Sequence, residues 1–325
     1  MAFNTVFTWG PDNVDSLLTT TKSVIQQTKE FLNDAIFTRI TLLKHLNDKK
    51  RVTRQGGASI LTPLLFGKNE TFKAYSGYDI IDTTAQEGMT MAQTPWRNYG
   101  GTISFNGTEM RQNAGNGKIF DLAKAKTIQA TMSARDVLNS DMFSSTQGAK
   151  KVAALPVLVD ATSTVQDVNS TTNSWWQAQV ITGGAFPTQG LADMRTLRNQ
   201  IIDAGMQGGM TPDFIVTTQT VQELYEASQV PQLRYGVADK MDPSKAESLL
   251  FAGAPIEFDS NCASGELYML PSDALEFVVN EGADWEIGNF IEPANQDARV
   301  AKVLWQGNLV TNNRRRLGKI TSITA

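Results

Sequence analysis

The sequence predicts an α+β chain of several lobes, and three observations carry that reading. Two stretches, 13–47 and 117–143, repeat apolar residues at helical spacing. Between them, 51–115 reads as strand and turn, with too few large apolar side chains to bury a core of its own. From Leu191 onward, helix-type and strand-type segments alternate. The 325 residues, 41% hydrophobic and 19% charged, supply enough apolar material for two or three lobes.

The first helix is marked by Val14, Leu17, Leu18, Val24, Ile25, Phe31, Leu32, Ala35, Ile36, Ile40, Leu43 and Leu46, with Asp12 and Asn13 as N-cap candidates after Pro11. Thr19-Thr20-Thr21 interrupts its apolar stripe, so the helix either packs on its own core or lies as an arm across a neighbour. The 51–115 segment is either a disordered insertion or a long β-hairpin packed on another subunit. Its aromatic residues, among them Phe66, Phe72, Tyr75, Tyr78, Trp96 and Tyr99, favour the hairpin, because disordered segments are aromatic-poor. The second helix carries Ile119, Phe120, Ala123, Ile128, Ala134, Val137 and Leu138 and would run roughly 40 Å at about 1.5 Å per residue.

Leu155-Pro-Val-Leu-Val-Asp160 then reads as a short buried strand, and a Ser/Thr/Asn-rich stretch leads to Trp175-Trp176. Gly183-Gly184 and Pro187 mark a loop. A helix is expected over 191–204, a strand over 212–217 and a helix over 219–228. Further strands are expected at 254–258 and 266–270, and alternating stretches at 300–305, 307–310 and 319–323 end the chain.

Net charge is −4 but unevenly spread. Residues 1–55 hold 8 Lys/Arg against 5 Asp/Glu, 191–290 hold 5 against 16, and 291–325 hold 6 against 2. An acidic lobe of this kind either is simply solvated or meets copies of itself or cations, while basic ends meet acidic neighbours or nucleic acid. Overall acidity argues against a protein whose main work is gripping DNA. No stretch approaches the roughly 20 apolar residues of a membrane span, and MAFNTVFTWGPDN has neither the basic start nor the apolar core of a signal peptide. Synthesis in a reducing cytoplasm is therefore expected. The single cysteine, Cys262, allows no intrachain disulfide.

Catalytic chemistry finds little to work with, and no cofactor or metal is expected. The one histidine, His45, stands in Leu43-Lys-His-Leu46 without a nucleophile signature and reads as a helix C-terminal cation. One His and one Cys do not make a zinc site. Gly115-Asn-Gly-Lys118 lacks the first glycine of a phosphate loop, having Gln112 there, and Ile119 replaces its Ser/Thr. Arg314-Arg-Arg316 reads first as a strand whose arginines meet acidic neighbours and second as a DNA contact. Trp175 and Trp176 read as core or interface rather than a stacking platform.

The order of elements resembles the tailed-bacteriophage major capsid proteins of the Hong Kong 97-type fold. Carrying the resemblance are Leu155–Asp160 running into Asn169-Ser-Thr-Thr-Asn-Ser-Trp-Trp176, Thr211-Pro-Asp-Phe-Ile-Val-Thr217 with Leu224-Tyr225, and an ending of Asn295-Gln-Asp-Ala298, Gly307-Asn-Leu-Val310, Asn312-Asn-Arg-Arg-Arg316 and Gly318-Lys-Ile-Thr321. It implies an N-terminal arm (1–50), an extended β-hairpin loop (51–115), a peripheral domain with a long spine helix (116–186), an axial domain (187–290) and peripheral C-terminal strands (291–325). It implies a structural, non-enzymatic coat protein that forms homo-pentamers and homo-hexamers of an icosahedral shell around double-stranded DNA, made in the host cytoplasm and carried in the virion. Scaffolding, decoration and portal proteins would be its further partners.

Candidate inter-subunit contacts are Lys68, Phe72, Tyr75, Trp96, Trp175, Trp176, Arg314, Arg315 and Arg316. Some members of the family cross-link a loop lysine to a peripheral asparagine, and Lys68 or Lys73 with Asn308, Asn312 or Asn313 are the matching residue types. The alternative within the same fold is an encapsulin-type nanocompartment shell. An α/β enzyme in the 190–290 lobe is the rival from another class.

Overall fold

The computed structural model describes residues 41–112, 116–205, 211–233 and 249–325. In chain order these form α1 (Thr41–Asp48), β1 (Val52–Gln55), β2 (Ile60–Leu65), β3 (Met89–Thr94), β4 (Arg97–Asn106), α2 (Gly107–Gln112), α3 (Asn116–Met142), α4 (Leu155–Leu158) and β5 (Gln179–Thr182). Then follow α5 (Leu191–Asp203), β6 (Phe214–Thr217), α6 (Gln219–Leu233), β7 (Leu250–Phe251), β8 (Ala254–Phe258), β9 (Leu267–Leu270), β10 (Leu275–Asn280), β11 (Glu286–Ile287), β12 (Ala298–Thr311) and β13 (Gly318–Thr321). The expected first helix is described only from Thr41; its 13–40 part lies outside the described residues.

Two sheets organise these elements. In the first, β1, β10, β12 and β11 form one path, and β4 pairs with the opposite side of β12 over ten residues, from Arg97↔Gly307 to Asn106↔Ala298. The second has six strands in the order β5-β13-β9-β6-β8-β7, with β5 parallel to β13 and β6 parallel to β8. One core joins the sheets: Leu42, Leu43 and Leu46 of α1 and Leu138 and Met142 of α3 pack against Phe277, Trp305, Tyr268 and Phe214. A second core lies where Met194, Leu197 and Ile201 of α5 and Val221 and Tyr225 of α6 cover the six-stranded sheet. Helical spacing of these apolar residues is what lets each helix bury one face.

Several expectations change in detail. Leu155–Leu158 is one buried helical turn, not a strand. Pro156 explains it: its fixed φ and missing N–H suit the first turn of a helix and spoil a central strand. The 300–305 and 307–310 stretches are a single 14-residue strand, β12. Arg314–Arg316 is a 3-10 turn rather than a strand.

α1 is fastened by charge as well as by its leucines. His45 stacks on Phe214 with ring centroids 4.1 Å apart, and its Nε2 lies 2.7 Å from Ser272 Oγ. Ser272 Oγ donates to Asp213 at 2.5 Å, and Lys49 Nζ reaches the same carboxylate at 3.2 Å. Burial opposes ionisation of Asp213, but its close partners His45, Ser272 and Lys49 prevail and hold it far below the ordinary carboxylate range. A carboxyl depressed in this way stabilises the fold above its unfolded value, near about 4, and that contribution is lost as pH falls through the lower folded value. Asp213→Asn is therefore expected to lower the melting temperature at pH 7 and to flatten the acid limb of the stability curve. An unchanged acid limb would show that other groups govern it.

Candidate assembly surface

β2 and β3 form a two-stranded hairpin whose register pairs Ile60 with Thr94 and Leu65 with Met89. Because strand side chains alternate, its two faces differ. Ile60, Leu64, Ala92 and Thr94 are buried on the inner face, while Leu61, Leu65, Met89 and Met91 are exposed on the outer one. The inner face has two seats. Ile60 packs with Val278, Val310 and Trp96, and Trp96 Nε1 donates to the Gly57 carbonyl at 2.9 Å. Leu64 and Ala92 pack on Trp176, and Phe66 stacks on Trp175 with centroids 5.1 Å apart.

Beyond Leu65 the chain continues as a loop to Gly88. At its neck Gly67 and Gly88 approach so closely that a Cβ on Gly67 would lie 3.0 Å from the Gly88 Cα. In the loop itself Phe72 is 94% exposed and Ile80 97%, with Tyr75, Tyr78 and Ile81 also in solvent. Ten of the eighteen large hydrophobic residues that the described chain leaves exposed fall between Leu61 and Met91. Monomeric proteins rarely leave so much exposed apolar surface uncovered where it is contiguous, which makes this segment the candidate assembly surface.

The sequence-predicted contacts separate into two groups. Lys68, Phe72, Tyr75 and Arg315 are exposed, whereas Trp176, Arg314 and Arg316 are buried and Trp96 and Trp175 half-buried within the subunit. Arg314 is fully enclosed. Its Nε donates to the Leu158 carbonyl at 2.7 Å, Nη2 to Val157 at 3.1 Å, and Nη1 to Ser163 at 2.7 Å, to Trp176 and to the Ser170 hydroxyl. Val157 and Leu158 end the α4 turn, so the guanidinium caps a helix C-terminus, where positive charge is favoured. Burial lowers its pKa to about 10, against the pull of Asp160, which leaves it charged at neutral pH. Arg316 instead pairs with Asp273 at 2.5 Å.

Asn308 is also committed inside the subunit: its amide donates to Pro95 and accepts from Ala153 and Leu309. Asn312 is exposed and donates to the Asp273 carbonyl. His45, Ser272 and Asp213 come together without forming a catalytic relay. Both Ser272 and Asp213 meet the same ring nitrogen, and Ser272 is 3% exposed. Burial pushes the Cys262 thiol up to about 12, which suppresses its nucleophilic form. Among the described residues no group of three or more His, Cys, Asp and Glu is placed to hold a metal ion. None of the described helices is long and apolar enough to cross a membrane.

No protein-family model and no curated protein matches the sequence. Solved structures do. The capsid of cyanophage A-1(L) is similar over 85% of this chain and 91% of its own, with a TM-score of 0.60 and 14% identity. The capsid of an empty GTA particle is similar over 83% and 93%, with a TM-score of 0.58 and 9% identity. The SrpI encapsulin of Synechococcus elongatus PCC 7942 is similar over 84% and 85%, with a TM-score of 0.52 and 9% identity. With its paired sheets, long helix and projecting hairpin, the chain has the α+β, Hong Kong 97-type fold of the tailed-phage major capsid proteins.

Proposed function

We propose that the chain is a major capsid protein that assembles as pentamers and hexamers into an icosahedral shell around phage double-stranded DNA. One observation carries this reading: a hairpin whose inner face is seated on its own subunit and whose outer face and loop expose a run of apolar side chains. A surface so apolar is stable in water only when another molecule covers it, and a shell of identical copies supplies the cover. The role is structural.

In this reading residues 1–50 act as an arm, 51–115 as the extended hairpin segment whose outer face and loop are laid over a neighbour, 116–186 and 291–325 as the peripheral domain, and 187–290 as the axial domain at the capsomer centre. Lys68, Phe72, Tyr75 and Arg315 make direct contacts, while Trp96, Trp175, Trp176, Arg314 and Arg316 hold the elements that present them. Scaffolding, portal and decoration proteins complete the virion.

Likeness to an encapsulin favours a second reading, a nanocompartment shell. Electron microscopy of particles isolated from the source decides between them. DNA-filled, tailed particles are expected; tailless shells holding protein would establish the second reading.

The 191–290 segment, with 16 acidic against 5 basic residues, adds a salt prediction. If these lobes converge on an axis, raising salt from about 0.05 to about 0.5 M should speed capsomer formation, because screening relieves like-charge repulsion. Light scattering during assembly measures it. Slower assembly with added salt would place attractive ion pairs there instead.

A further inference from the structure

Trp285 stands between two spaces. On one side is a cavity of about 110 Å³ under α1, lined by Leu43, Val52, Leu138 and Phe277. On the other is an open groove of about 500 Å³ between β4 and α3, lined by Ala134 and Val137 of the helix and by Ile287 and Val303 of the sheet. Trp285 lines both. Its indole packs on Trp305 with ring centroids 6.0 Å apart, and Trp305 stacks in turn on Phe277 at 5.5 Å.

The backbone under this ring is strained. Trp285 has φ 52°, a left-handed conformation that a bulky aromatic residue keeps only where its surroundings force it. Anchors stand on both sides of it. The Ala283 carbonyl accepts from the Gln306 N–H at 2.9 Å, and Glu286 pairs with Leu304 of β12. Between them, Asp284 accepts from Arg54 Nε at 3.2 Å and from Nη2 at 2.9 Å. Arg54 belongs to β1, so the strained turn is tied to the strand that follows α1. A second place for the ring is open nearby. Ile287, Val303 and Gly101 form one row across β11, β12 and β4, and Trp285 precedes Ile287 by two residues, on the same face of an extended strand. A Cβ at Gly101 would meet nothing within 4 Å, so the row ends in a hollow of the groove.

We propose that Trp285 is a two-position gate whose setting is controlled by the Arg54–Asp284 ion pair. In the observed position the pair holds the strained turn, the indole rests on Trp305, and the groove is open. When the pair parts, residue 285 relaxes to an extended conformation and the indole lies across Val303 into the hollow at Gly101. The ring then fills the groove and uncovers the cavity under α1. Stacking lost at Trp305 and backbone strain released at residue 285 are of the same order, so neither position overwhelms the other. The Arg54 side chain is 58% exposed, so salt or a carboxylate of another molecule reaches the control point. The gate works inside one subunit and does not rest on the shell reading.

Fluorine NMR of the full-length chain labelled with fluorotryptophan tests it, with Trp285→Phe assigning the Trp285 signal. In wild type that signal should be split or broadened between two positions. Arg54→Gln should raise the weight of the second position about threefold, in keeping with the loss of an exposed ion pair. Raising salt from about 0.05 to about 0.5 M should move wild type the same way and leave Arg54→Gln unmoved. Gly101→Val puts a strand-favouring side chain in the hollow and should leave one sharp signal, that of the ring on Trp305. Ala134→Met fills the groove from the helix side and should do the same, which keeps the test intact if either variant folds poorly.

One sharp Trp285 signal with the same shift in wild type, Arg54→Gln and the groove-filling variants overturns the gate. A second position that persists in both groove-filling variants overturns it too, because the ring would then be moving elsewhere. Wild-type weights in Arg54→Gln overturn the control by the ion pair.

Discussion

Replacing Arg314 with leucine is expected to strip the subunit of a large share of its stability and to cut its soluble yield at 37 °C. The guanidinium supplies donors to the carbonyls of Val157, Leu158, Ser163 and Trp176 and to the Ser170 hydroxyl, in a site that water does not reach. Each buried acceptor left without a donor costs about 1–3 kcal/mol. Even with partial relaxation, the loss should exceed about 4 kcal/mol, a large share of the roughly 5–15 kcal/mol by which a domain is stable. Urea unfolding of the soluble fraction measures it, and a variant whose midpoint stays near wild type would sink the claim.

Arg314→Lys separates charge from geometry. One ammonium on a flexible stem does not span acceptors on both sides of a planar fork, so a loss of about 2–3 kcal/mol is expected. Arg315→Ala is the control: Arg315 is exposed, and only its backbone carbonyl is used, by Gln179. That change should move stability by no more than about 0.5 kcal/mol.

These three adjacent arginines also show where the sequence is legible. Periodicity places α3 to within a residue of its observed ends, because a 27-residue helix repeats its pattern many times. β8 falls on its expected residues for a related reason: a short apolar run bounded by turns has few other ways to fold. Three like charges in a row carry no such periodicity. Which of them is buried depends on where α4 and the Ser163–Ser170 loop arrive, more than 140 residues earlier in the chain.

The Val165–Val168 turn is hidden for a different reason. Gln166 and Asp167 both adopt left-handed backbone conformations, at φ 55° and 60°, without a glycine to announce it. The Gln166 carbonyl then accepts from the Gln93 N–H, so an unmarked turn becomes part of the seat of the hairpin. Similarly, nothing in 51–115 distinguishes β4, which joins the first sheet, from β2 and β3, which project. Their burial follows from partners supplied by distant chain, chiefly β12 for β4 and Trp176 for the hairpin. The aromatic content of the 51–115 segment is readable from the sequence; which of those aromatics are spent inside the subunit is not.

Excising residues 68–87 and closing the hairpin with an Asn-Gly turn is expected to abolish shells while leaving the subunit as stable as before. The cut falls outside the seats: Ile60, Leu64, Ala92, Trp96 and the Phe66–Trp175 stack all remain. Gly67 and Gly88 already lie side by side, with the Gly67 N–H 3.2 Å from the Gly88 carbonyl, so the strands need not move. Shortening a twenty-residue loop to two removes closure entropy and favours the folded subunit by about 2 kcal/mol at most. What disappears is exposed apolar surface at Phe72, Tyr75, Tyr78, Ile80 and Ile81.

If that surface docks on a neighbour, removing it deletes an entire inter-subunit contact and assembly should stop at free subunits or capsomers. Sedimentation velocity and microscopy read the outcome. Leu65→Asp with Met89→Asp asks the same of the outer hairpin face, where the two side chains are cross-strand partners and two carboxylates would repel each other and any apolar partner. Intact shells from the excised chain would show that the loop decorates the surface instead of holding it together. A subunit that melts early would show that the loop packs on its own body, against its observed exposure.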